Sequence, residues 1–188
     1  VAGFLVQSEI APATLKHGLH YFHDACHFAA SANRMTSHHE IIEVWHNTLE
    51  QYQAVVRTGF KLPWPLQDRE FLHWVGTKRH TDAHGRDTAL IAYSSIQPAG
   101  YPPPWDGHLR CAISPSGQRL TNLGHGRLKT EHCMTYTLGG SIPAWAQNGL
   151  FHSGHVSAYH KEWVSAMGCL QTEAAHPDAS TTRPHTTI

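Results

Sequence analysis

Two prolines flank Trp64, and that Pro63-Trp64-Pro65 step limits what this 188-residue chain can fold into more than any other feature. Proline has no amide hydrogen and holds φ at about −65°, so the segment can neither continue a helix nor sit inside a sheet ladder. It must be an extended bend. The stretch that follows, Arg69-Glu70-Phe71-Leu72-His73-Trp74-Val75, reads as a strand. Side chains alternate across a strand, which puts Phe71, His73 and Val75 on one face and Leu72 and Trp74 on the other. A strand apolar on both faces belongs to a sheet that buries something on each side, as a sheet wrapped around a cavity does.

The flanking sequence supplies the other strands. Ala2 to Glu9 alternates weakly and predicts a first strand, closed by Ala11-Pro12. Pro12 suits the first turn of a helix, and Ala13 to Ala32 has helical composition weakened at Gly18. Glu40 to His46 and Gln51 to Phe60 read as a hairpin across Asn47-Thr48. Further strands are predicted at Thr88 to Gln97, His108 to Ser114 and Thr130 to Leu138, with a short one at Arg119 to Leu123. The proline-rich stretch from Gln97 to Gly107 predicts an irregular loop at a sheet end. After Pro143 the pattern turns helical, with Trp145, Val156, Tyr159, Trp163, Met167 and Leu170 spaced for one long amphipathic helix. Beyond Gln171 the chain has little to bury and predicts a flexible tail. The expectation is one domain over residues 1–171 and a tail over 172–188.

Three motifs stand in order along this plan. Pro63 to Phe71 resembles the P-x-x-x-R-D/E-F signature of the START (steroidogenic acute regulatory protein-related lipid transfer) family. Pro104-Trp105-Asp106-Gly107-His108-Leu109-Arg110 is similar to the family's P-x-x-x-G-x-[IVL]-R. Gly139-Gly140-Ser141-Ile142-Pro143-Ala144-Trp145 is similar to its G-G-x-[IL]-P-x-W. The resemblance covers roughly residues 40 to 170. It implies an α+β, helix-grip (Bet v 1-like) fold: a curved antiparallel β-sheet wrapped around a long C-terminal α-helix, with an internal apolar cavity between them.

The site follows from that geometry. On the terminal helix Gln147, Phe151, Gly154 and Ala158 share a face, and Gly and Ala there leave room beneath it, unlike a face filled to core density. His155 borders that face. On the sheet, the resemblance points Phe71, His73 and Val75 at a ligand, with Tyr93, Met134 and Tyr136 as further lining residues. Sterol-binding members carry an arginine six residues after the signature arginine, paired with an acid on the preceding strand. Val75 occupies that position here, and Val55, Val56 and Arg57 stand where the acid is expected. The sterol anchor is therefore missing, whereas a neutral His73 offers one donor and one acceptor to a hydroxyl or keto group. Arg69, with Asp68 or Glu70, is expected to form an ion pair that fixes the bend.

Composition excludes several other functions. Lys plus Arg equals Asp plus Glu at 14 each, so no global field selects nucleic acid or an anionic membrane. No apolar run reaches the roughly 18 residues of a membrane span. Cys26, Cys111, Cys133 and Cys169 form no CxxC and read as buried thiols in a reducing, cytoplasmic setting. His17, His20, His23 and His27 fall at helical spacing, yet no Glu follows the first histidine as in a zinc-binding HExxH, and no metal or organic cofactor is expected. No nucleophile elbow or phosphate loop is present. The expected function is non-catalytic binding or transfer of a hydrophobic ligand in an internal tunnel, either a phospholipid, an acyl lipid, a sterol or a carotenoid, with transient membrane contact. The alternative is a cyclase- or hydrolase-like enzyme of the same fold acting on an aromatic or polyketide-like substrate, with His73 and Tyr136 or Tyr93 as its acid/base pair.

Overall fold

The computed structural model describes residues 2–23, 36–48, 51–62, 64–96, 99–140 and 142. Within them lie eight strands and one helix. In chain order these are β1 (Ala2–Ile10), α1 (Leu15–His23), β2 (Thr36–Asn47), β3 (Gln51–Phe60), β4 (Asp68–Thr81), β5 (Asp87–Ser95), β6 (His108–Ile113), β7 (Ser116–Gly124) and β8 (Arg127–Thr137). The hydrogen-bonded order is β1-β8-β7-β5-β4-β3-β2, with β6 set against both β4 and β8.

All pairings are antiparallel except β4 with β6, which run parallel from Asp68↔His108 to Phe71↔Cys111. A parallel neighbour needs a crossover, and β5 with the proline-rich loop behind it supplies one. Because β6 also meets β8 at Ile113↔Tyr136, the series β4-β5-β7-β8-β6 closes on itself. A closed series must curl. Cys111, Ile113 and Tyr136 on its inner side are buried, while Ala112 and Thr137 on the outer side are exposed.

Register assigns the faces. Opposed residues share a face, so Val56, His73 and Ser95 lie together on the inner side, as do Ala54, Val75 and Tyr93. Leu72 and Trp74 lie on the outer side, as the alternation predicts. At one end of the inner face Leu15 and Leu19 of α1 join Ile10, Tyr52, Ala54, Val56, Val75, Ala89, Ile91, Leu120 and Leu128 in a buried cluster. At the other end Leu62, Phe71, Cys111, Ile113, Tyr136 and Leu138 form a second, against which Met134 and Ile142 pack.

Three expectations need correction. Pro12 does not open the helix: α1 begins at Leu15, and Thr14 Oγ1 accepts the His17 amide at 3.3 Å as its cap. Ala13 instead donates its amide to the Gly126 carbonyl at 2.7 Å, tying the approach to the β7–β8 turn. The strand predicted at Arg119 to Leu123 starts at Ser116, because Gly117 fits closely against the Ile91 backbone of β5. Cys133 is exposed rather than buried. The predicted C-terminal helix, with Gln147, Phe151, Gly154, His155 and Ala158, lies outside the described residues, as do Cys26, Cys169 and the tail.

Candidate functional site

The six sheet residues predicted to meet a ligand stand on one face. Phe71, His73 and Val75 alternate along β4, Tyr93 faces Val75 from β5, and Met134 and Tyr136 occupy the matching positions of β8. Their rings interlock edge to face: Phe71 to Tyr136 and His73 to Tyr93 at 6.5 Å between centroids, Phe60 to Phe71 at 5.7 Å.

Between the two apolar clusters runs a polar belt. On β3 the inner face steps from Phe60 through Thr58 to Val56, and on β4 from Phe71 through His73 to Val75. On β8 it steps from Met134 through His132 and Thr130 to Leu128. His39 of β2, opposite Thr58, extends the belt, and its Nδ1 lies 3.0 Å from Thr58 Oγ1. Tyr93 Oη is hydrogen-bonded to His132 Nε2.

Burial sets the charge state of the belt. Desolvation holds His39 and His73 well below the ordinary imidazole range, each at about 4, and repulsion from His39 adds to the shift at His73. The Phe71 backbone opposes that shift weakly. Burial likewise pushes the Tyr136 phenol up to about 12 and the Cys111 thiol up to about 11. All four groups are therefore neutral at pH 7.

The signature residues do something else. Arg69 pairs with neither Asp68 nor Glu70: its Nε donates to the Leu138 carbonyl at 2.8 Å and its Nη1 to the Gln67 carbonyl. Asp68 fixes the proline bend by accepting the Leu62 amide at 2.9 Å. Glu70 is fully buried on the outer face, 2.9 Å from Arg57 Nε and 2.6 Å from Arg110 Nη2. The Trp105 amide donates to the same carboxylate at 2.9 Å, and the Trp105 ring stacks on the Arg57 guanidinium at 3.7 Å. Arg57 and Arg110 also donate to the Pro103 and Pro102 carbonyls. The proline-rich loop is thereby fastened to the outer side of the sheet. The motifs are staples, and they leave the inner face free for other work.

A cleft of about 350 Å3 opens where β5 and β6 diverge from β4, lined by Leu72, Ser95, Arg110 and Cys111 among others. None of the predicted ligand residues lines it. His39 and His132 are members of the belt that sequence reasoning missed. His132 carried a signal, since it shares parity with Met134 and Tyr136. His39 carried none, because the predicted strand began at Glu40, four residues after the start of β2 at Thr36. Among the described residues no group of three His, Cys, Asp or Glu side chains is placed to hold a metal ion, and no helix is long and apolar enough to cross a membrane.

A curled sheet with one helix across part of its inner face, and a belt of neutral polar groups between two greasy patches, defines an α+β protein built around its sheet's interior. The chain belongs to the START domain family, whose profile matches residues 33–173. No curated protein matches it by sequence. Among solved structures, human STARD10 superposes with a TM-score of 0.77 at 15% identity, covering 94% of this chain and 68% of that one. Human StAR-related lipid transfer protein 5 gives 0.71 at 19% identity, over 89% of this chain and 76% of its own. The Zhui aromatase/cyclase from Streptomyces gives 0.53 at 12% identity, over 94% and 99%. At such identities the likeness is one of fold.

Proposed function

We propose that the protein binds and transfers a hydrophobic, lipid-like molecule against the inner face of its sheet, without catalysis. The observation that carries this reading is the division of that face. α1 covers one apolar cluster, and the polar belt and the second cluster lie beyond it, a surface suited to a molecule with one polar end and a long apolar body. Family membership and the fold shared with human StAR-related lipid transfer protein 5 support it. Phe71, Met134 and Tyr136 would line the apolar body, His73 and Tyr93 the polar end, with Gln147, Phe151, Gly154, His155 and Ala158 closing the tunnel from a C-terminal helix.

A sterol held by an ion pair is a poor fit. Val75 packs between Ala54 and Tyr93, and the buried ionic cluster that joins β3 to β4, Arg57 with Glu70, faces outward. The enzymatic alternative is less favoured, since Tyr93, one of the two phenols named beside His73, is hydrogen-bonded to His132. Free Cys111 and exposed Cys133 support a reducing, cytoplasmic setting.

Native mass spectrometry of protein purified without detergent is expected to show one adduct of lipid mass that organic extraction removes. A protein that carries no adduct and takes up none from mixed lipid vesicles would overturn the proposal.

A further inference from the structure

Two nitrogens of the polar belt are stranded. His39 Nε2 and His73 Nδ1 are buried, and neither makes a hydrogen bond of normal geometry among the described residues, the Phe71 backbone acting on the His73 ring only weakly. A buried polar atom left unpaired is destabilising, so a partner supplied from outside the chain would be stabilising. The two rings sit on neighbouring inner positions: His39 is opposite Thr58, His73 is opposite Val56, and Thr58 and Val56 are adjacent on the inner face of β3. A neutral imidazole has one donor and one acceptor, so the pair can serve a hydroxyl, which both gives and takes a hydrogen bond, or a carbonyl.

The same face offers little to a phosphate. Among the described residues, the buried basic side chains are Arg57 and Arg69. Arg57 faces outward onto Glu70. Arg69 is on the inner face, opposite Phe60, but its Nε and Nη1 donate to the carbonyls of Leu138, Gln67 and Asp68. A phosphodiester set against the belt would meet neutral rings, phenols and hydroxyls, and would lose its hydration with no cation at hand but Arg69, whose Nε and Nη1 already serve backbone carbonyls.

Resting on the lipid-binding reading above, we infer that the site selects long-chain lipids whose polar end is uncharged, a hydroxyl or carbonyl seated between His39 and His73, over lipids headed by phosphate. The belt orients the guest: polar end at the imidazoles, apolar body along Phe71, Met134 and Tyr136, away from the cluster that α1 already fills.

The test uses three fluorescent probes with the full chain: diphenylhexatriene, which has no polar end, and nitrobenzoxadiazole-labelled diacylglycerol and phosphatidylcholine with matched chains. The hydrocarbon is expected to bind, and diacylglycerol to bind about tenfold more tightly than phosphatidylcholine, the weight of one buried hydrogen bond. In the His39→Phe/His73→Phe double variant that preference is expected to vanish while hydrocarbon binding persists. Phosphatidylcholine binding as tightly as diacylglycerol to the wild-type chain would overturn the inference, as would a preference that survives the double variant. The wild-type comparison decides the matter even if the variant does not fold. Failure of the hydrocarbon to bind would instead remove the lipid-binding reading beneath it, so the two failures are told apart.

Discussion

Glu70 shows how little of a signature has to do with a ligand. Its carboxylate has no solvent, two arginines and one amide, and every one of those partners belongs to the outer side of the sheet. Removing one member of a buried ionic cluster leaves the others uncompensated, at a cost of about 3–5 kcal/mol. Glu70→Gln is therefore expected to lower the urea midpoint by that measure while diphenylhexatriene affinity in the folded fraction stays unchanged. His73 behaves in the opposite way, by titrating. An unfolded chain protonates this imidazole near its ordinary value of 6.5, whereas the folded one resists until about 4. The unfolded state thus holds more protons across that window, and stability falls as pH drops from 6.5 to 4, by up to roughly 3 kcal/mol for His73. His39 contributes in the same direction, and Tyr93 and His132 are the other titratable groups of the belt. Urea midpoints measured from pH 7 to pH 4 should show the descent, and His73→Phe should flatten it.

Among the elements, the strands were the legible part. Alternation in β4 assigned both its faces correctly, because an apolar residue on either side of a strand has only one plausible fate in a sheet with two covered faces. The outer cover itself was not legible: Arg57, Glu70 and Arg110 come from three strands, and nothing local announces that they meet. Arg69 misled for a related reason. A cation beside two acids suggests an ion pair, but adjacent residues on a strand point to opposite faces, so Arg69 and Glu70 cannot share one. Part of the polar belt was visible as His73 and Tyr93, while His39 was hidden by a misplaced strand start. The Gly117 contact between β7 and β5 was equally silent. A Cβ there would stand 2.8 Å from the Ile91 carbonyl oxygen, a backbone atom that cannot swing aside. Gly117→Ala is expected to cost about 1–3 kcal/mol in chemical denaturation, with the sheet pulled apart where β7 meets β5.

For the molecule as a whole, occupancy and membrane contact are the measurable consequences of the proposed function. A guest at a hundred times its dissociation constant adds about 2.7 kcal/mol, so the extracted protein should melt measurably below the loaded one and recover on reloading. Trp64 is 92% exposed, held out by the bend between Leu62 and Leu66, and suits the interface of a bilayer. Trp64→Ala should weaken co-sedimentation with vesicles while leaving the melting temperature in place. A loss of both together would assign the residue to folding instead. The ring of strands completed by β6 carries a last implication. Like a bracelet whose clasp is β6, that arc keeps its circumference whether loaded or empty, since widening it would break the rungs to β4 or β8. Cargo must then come and go along the unclasped perimeter, and amides within the bracelet should trade deuterium at the same slow pace before and after delivery.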